Sequence, residues 1–120
     1  MQDFKNLHVW RKAHELALFT YKITVDFPRD ELFGLRNTLR KTSVDIPAYI
    51  AEGCAKASDG EFAKAIGTSL ALGNRLEYYA LMAKDLEMIP EAVHSDYLER
   101  IVEVRKMLSG FNRRLETGTL

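Results

Sequence analysis

Residues 35–53 read LRNTLRKTSVDIPAYIAEG, and they set an apolar stripe, an internal proline, a basic cluster and a closing Glu-Gly within one predicted helix. Leu32, Leu35, Leu39, Thr42, Ile46 and Ile50 recur at steps of three and four residues, the period of a buried helix face. Asp30 is a candidate N-cap, Gly34 a candidate break in the first turn, and Gly53 the expected left-handed residue after the last turn. Pro47 removes one backbone donor and crowds the carbonyl of Ser43, with the hydroxyls of Thr42 and Ser43 close by. It predicts a kink that curves the helix around its neighbours, or else an opened turn lining a pocket.

Working outward, Phe27-Pro28, the turn from Gly53 to Gly60 and Ile89-Pro90 divide the chain into four periodic pieces. The predicted helices cover about 7–26, 31–53, 59–88 and 91–115. The first carries Val9, Trp10, Ala13, Leu16, Ala17, Thr20, Ile23 and Phe27 on one face. The third opens on a capping-box pattern, Ser58 with Glu61, and continues through Phe62, Ile66, Ser69, Leu72, Leu76, Tyr79, Ala83 and Leu86. Gly67, Gly73 and several alanines within it predict close approach of a neighbouring helix. The fourth carries Tyr97, Ile101, Val104, Leu108, Phe111 and Leu115, an unbroken heptad seam. Four helices with short connections fold most simply as an up-down-up-down bundle, one all-α domain over residues 1–120.

The 120 residues suffice for one core without a metal or disulfide. Lysines and arginines equal aspartates and glutamates at 17 each, which argues against a dedicated, globally basic nucleic-acid module but leaves room for a local patch. No run is apolar enough to cross a bilayer, and the polar start of the chain is not read as a secretory signal, so a cytoplasmic protein without membrane partners is expected. The single cysteine, Cys54, is expected to be an inert, at least half-buried thiol. His8 and His14 are out of phase on one helix, His94 is remote, and no HExxH, CxxC, glycine-rich phosphate loop or GxSxG elbow occurs. No catalytic, cofactor or metal residues are therefore assigned, and a small-ligand site at the Pro47 kink is the least favoured alternative.

Two features point to interaction instead. Leu18, Phe19, Tyr21, Val44, Ala48, Tyr49, Ala51, Leu70, Tyr78, Leu81, Leu98, Val102 and Met107 fall off the main seams, a second apolar set larger than a four-helix monomer needs. Self-association follows. Arg36, Arg40 and Lys41 on the second helix, with Arg105, Lys106, Arg113 and Arg114 on the fourth, are candidate phosphate contacts. Structural ion pairs with Glu52, Glu77, Glu99 or Glu103 compete with that role, and Glu77 is expected to pair with Arg40.

Several motifs carry a resemblance over nearly the whole chain. Phe4-Lys5-Asn6-Leu7-His8-Val9-Trp10-Arg11-Lys12-Ala13, Phe27-Pro28 with Glu31, and Gly34-Leu35 lead into Leu39-Arg40-Lys41, Val44, Ile46-Pro47-Ala48 and Ile50-Ala51-Glu52-Gly53. Ser58, Glu61-Phe62, Ala71, Gly73, Glu77 and Met107-Leu108-Ser109-Gly110 continue the pattern. Together they resemble the small bacterial four-helix-bundle proteins of the ribosomal-RNA intervening-sequence (S23-like) type, with Pro47, Glu52, Gly53 and Glu77 as signature positions. The resemblance implies a left-handed bundle, commonly a homopentamer with a central channel, and no established enzymatic activity. Related accessory proteins of diversity-generating retroelements bind nucleic acid and a reverse transcriptase, so a nucleic-acid or protein partner is the alternative expectation. Thr38, Lys41, Asp45, Tyr49 and Asn74 depart from the family pattern. Asp45 and Tyr49 weaken transfer of a nucleic-acid role, because one adds a negative charge beside the basic cluster and the other replaces an amide.

Overall fold

The computed structural model describes residues 3–29 and 34–118. After a 3₁₀ turn at Phe4–Asn6 come four helices: α1 (His8–Ile23), α2 (Leu35–Cys54), α3 (Asp59–Asp85) and α4 (Glu91–Thr117). α1 and α3 each lie beside both α2 and α4, while the diagonal pairs stay apart, giving a four-helix bundle of 45 × 23 × 20 Å. Its register is fixed by antiparallel contacts. Thr20 meets Tyr97 while Lys12 meets Glu103, and Gly53 lies against Phe62 while Ser69 reaches Ile46. The α1–α2 and α3–α4 connections thus share one end of the bundle, here the connection end. The start of α1, the α2–α3 turn and the end of α4 share the other, here the terminal end.

Most predicted seam positions of α1, α2 and α4 are buried, with Leu16, Leu39, Ile46, Ile50, Ile101 and Leu108 all at most 2% exposed; Trp10, Ile23 and Leu35 are half-buried, and Leu32 lies outside the described residues. On α3 the buried face differs from the expected one. It runs Phe62, Ile66, Ser69, Gly73, Leu76, Ala80 and Ala83, whereas Leu72 and Tyr79 are half-buried and Leu86 is exposed. Small residues at the seam explain the shift: a Cβ on Gly73 would stand 2.9 Å from Cγ of Arg105. Bulk is placed beside the seam so that α4 can close on it.

The helix ends also depart from expectation. α1 stops at Ile23, short of the expected 26; the Thr24 hydroxyl donates back to the carbonyls of Thr20 (2.8 Å) and Tyr21 (3.3 Å), and Phe27 then folds into the core. The expected start of α2, with Asp30 as N-cap, lies outside the described residues; the described helix begins after Gly34. Gly53 is not a left-handed helix end. The helix continues through Cys54, and Gly53 is a buried packing position where a Cβ would meet Phe62 Cδ1 at 2.6 Å. α2 runs unbroken through Pro47, which is buried, and Ser69 of α3 donates to the carbonyl of Ile46 beside it (2.9 Å). The Ser43 hydroxyl donates to the carbonyl of Arg40 (2.9 Å).

Ser58 caps α3 as its motif predicts, accepting from the Glu61 amide at 3.2 Å. That helix ends at Asp85, short of the expected 88, where Glu87 turns left-handed (φ 60°) and the Met88 amide bonds back to Ala83 (2.8 Å). α4 runs to Thr117 and closes on Gly118, the glycine that does adopt positive φ (69°).

Candidate interaction surfaces

The cations picked out by sequence separate into different jobs. Arg40 reaches across to the end of α1, where its Nε donates to Thr24 Oγ1 (2.8 Å) and its terminal nitrogen to the Tyr21 carbonyl (3.2 Å). Its guanidinium lies 4.4 Å from the centre of the Tyr21 ring. A positive group at the last carbonyls of a helix is favoured by the helix dipole and replaces missing intrahelical partners. Burial first, and then the Arg36 charge, lower the Arg40 pKa, yet a guanidinium stays protonated. The Thr24 it grips continues a buried polar chain: Thr24 to the Thr20 carbonyl, and Thr20 Oγ1 to the Tyr97 hydroxyl at 2.7 Å. Arg40 is thereby tied into the joint between α1, α2 and α4.

The expected Glu77–Arg40 pair is not formed. Glu77 Oε1 lies 2.9 Å from a terminal nitrogen of Arg105, which also donates to Asn74 Oδ1 (2.8 Å). Gly73 makes this possible, because the stem of Arg105 crosses α3 where a side chain would otherwise stand. Lys41 is paired within its own helix to Asp45 (3.2 Å). Arg36 is half-buried, and its Nε has no hydrogen-bond partner among the described residues. Glu52 is exposed at a shallow groove with Lys56 and Lys64.

Arg113 and Arg114 are different. Both are exposed at the end of α4, and with Lys106 and His8 they line a groove of about 630 Å³ between the start of α1 and the end of α4. Its other lining residues include Asn6, Leu7, Met107, Gly110 and Phe111, and no aspartate or glutamate is among them. None of Lys106, Arg113 and Arg114 enters an ion pair among the described residues. His8 escaped the sequence reading because it was weighed only as a metal ligand. Its place at the first position of α1, beside the end of an antiparallel α4, is a consequence of topology.

A larger groove of about 840 Å³ between α1 and α4 is of mixed charge, with Lys12 bridging to Glu103 (3.3 Å) and Arg100 to Asp96 (3.1 Å). Arg100 also covers the Phe19 ring at 4.0 Å. Among the described residues no group of three or more His, Cys, Asp or Glu could hold a metal ion. The Cys54 thiol is buried and its pKa is raised, chiefly by that burial.

Large apolar side chains face outward at Leu18 (58% exposed), Tyr21, Val25, Val44, Tyr78 (58%), Leu81 and Leu86. Six of these lie toward the connection end, on α1, α3 and the residues just after them, and Val44 lies mid-helix on α2. Basic groove and apolar faces therefore occupy opposite ends of one rod.

No described helix is long and apolar enough to cross a membrane. A comparison with curated proteins finds no match. The family model described as 23S rRNA-intervening sequence protein matches residues 5–110, which takes in α1 to α3 and most of α4, and the chain belongs to that family.

Proposed function

We propose that this chain is a non-enzymatic assembly module that associates with copies of itself in the cytoplasm, as a homopentamer. The observation that carries this is the outward apolar set at the connection end. Leu18, Tyr21 and Val25 form one stripe from α1, and Tyr78 with Leu81 forms another on α3. Two different faces of this kind suit a head-to-tail contact, the type that closes rings, rather than a self-complementary dimer. The count of five is what the resemblance to the intervening-sequence proteins implies. Leu18→Asp with Tyr78→Asp tests the reading. Both sites are more than half exposed, so each charge should change protomer stability by only about 0.5 kcal/mol. Buried against a neighbour, an unpaired charge costs about 3 kcal/mol or more. Light scattering should show the mass falling to 13.7 kDa with helix content retained. An assembly of unchanged mass would refute the choice of faces.

A second reading, an RNA- or DNA-binding accessory protein, is favoured by one observation: Lys106, Arg113 and Arg114, which enter no ion pair among the described residues, stand around a groove that no described carboxylate lines. Of the seven cations first grouped for this role, Arg40, Lys41 and Arg105 have intramolecular partners. Binding of labelled RNA or DNA that weakens steeply with salt supports it, and binding indifferent to salt counts against it.

A further inference from the structure

We infer that the groove between the start of α1 and the end of α4 seats the backbone of a single-stranded nucleic acid, and that self-assembly makes this site multivalent. The inference rests on the two readings above and adds the site, the strandedness and the coupling between them.

The groove has a positive rim of Lys106, Arg113 and Arg114, with His8 beside them, over a floor that includes Met107 and Leu7. α1 also begins there, and Leu7 at its N-cap supplies no side-chain acceptor, so first-turn amides and the positive dipole end add to the same field. Elsewhere the notable cations are spent on Thr24, Asp45, Glu77, Asp96 or Glu103. No carboxylate of the described residues lines the groove, and a polyanion is the partner it complements.

The nature of that polyanion follows from the floor and from the other end of the rod. An anionic membrane is held best where large apolar side chains sit among the cations, yet those side chains lie toward the connection end. A duplex keeps its base faces stacked inside and offers nothing to an apolar floor. A single strand offers both phosphates for the rim and base faces for Met107 and Leu7.

Assembly multiplies the site. In any cyclic ring, equivalent points of all copies fall on one circle, so every groove lies at the same level. Contacts through Leu18, Tyr21, Tyr78 and Leu81 leave the terminal end uncovered. A strand long enough to reach two grooves then gains by effective concentration, about 100-fold or more.

The experiment uses the full chain, fluorescence anisotropy with labelled single-stranded RNA of about 8 and about 40 nucleotides, and light scattering on every variant. The longer strand should bind the wild type about 100-fold tighter than the shorter one. Arg113→Gln with Arg114→Gln should weaken both strands at least about tenfold and flatten the short strand's salt slope by about 1.4, with mass and helix content unchanged. Leu18→Asp with Tyr78→Asp should keep the short-strand affinity and lose the advantage of length. Wild-type affinity in Arg113→Gln/Arg114→Gln, with assembly intact, would overturn the groove and leave self-assembly standing. A wild-type monomer that still loses RNA on Arg113→Gln/Arg114→Gln would overturn self-assembly and the multivalency while leaving the groove. Polyglutamate or anionic phospholipid vesicles binding as tightly as RNA would overturn the choice of nucleic acid.

Discussion

Gly53→Ala should destabilise the protein through one identifiable collision, with Phe62. The added methyl would lie 2.6 Å from Phe62 Cδ1, 3.0 Å from its Cε1 and 3.0 Å from the Cβ of Ala65, well inside carbon–carbon contact. Phe62 is 6% exposed and packs edge-on against Phe111 with ring centres 5.4 Å apart, so it has little room to retreat. Overpacking of this kind costs about 1–3 kcal/mol. Alanine at a helix-interior glycine returns about 1 kcal/mol, which leaves a net loss of about 1 kcal/mol. Gly67→Ala is the internal control. Nothing lies within 4 Å of a Cβ there, so the same helix gain should appear alone, as a stabilisation of about 0.5–1 kcal/mol. Urea denaturation followed by circular dichroism, at one fixed protomer concentration because assembly shifts apparent stability, measures all of these. The decisive step is the cycle with Phe62→Leu. If the collision is the cause, Gly53→Ala becomes neutral or stabilising in that background, a coupling of about 1–3 kcal/mol. If Gly53 instead served as a left-handed helix end, the penalty would be in the backbone, and Phe62→Leu would leave it untouched. Additivity within about 0.5 kcal/mol would therefore refute the packing account.

Arg40→Ala removes two charge-assisted bonds to the end of α1 and should lower stability by about 1–3 kcal/mol in the same urea assay; Arg40→Lys, which lacks the planar fork, should recover only part of that. Tyr97 is fully buried, and burial raises its hydroxyl pKa well above the ordinary phenol range. The native state therefore holds this proton where the unfolded chain releases it, so the contribution is complete below about pH 10 and is lost as pH rises beyond it. Stability measured at increasing alkaline pH should fall more steeply in wild type than in Tyr97→Phe. Glu87 occupies a left-handed position that only glycine adopts without a steric penalty, so Glu87→Gly should raise stability by up to about 1 kcal/mol. The Cys54 thiol should resist a soluble disulfide reagent until denaturant opens the core, and rapid labelling of native protein would contradict its burial.

The bundle was legible because three of its seams announce themselves through large apolar residues at helical spacing. α3 shows where that signal misleads. Leu72 and Tyr79 look like core, but Gly73 and Ala80 are the buried positions, since what the seam needed was closeness to α4. Gly53 misled in the same sense: a glycine after Glu52 resembles a helix stop, and only its neighbour Phe62, nine positions on, shows why a side chain is excluded. Charge was the least legible. Arg40 and Glu77 looked like partners, yet each chose a group set by three-dimensional register, the Thr24 hydroxyl and Tyr21 carbonyl in one case and Arg105 in the other. The basic groove arises because the first residue of α1 and the last turn of α4 meet at one end of the rod, a distance of about a hundred positions along the chain. Five of the outward apolar residues, Leu18, Tyr21, Val44, Tyr78 and Leu81, were visible as a surplus; Val25 and Leu86 were not, and Phe19, Leu70 and Met107 of that surplus pack against the core. That the outward set gathers toward one end could be seen only once the helices were laid side by side.

The central claim is that these outward apolar faces exist for copies of the same chain. Sedimentation equilibrium of the wild type over a wide concentration range tests it most directly. Self-association as a homopentamer requires a single species of about five times 13.7 kDa that persists on dilution. A protomer-sized mass of 13.7 kDa at every concentration would contradict it.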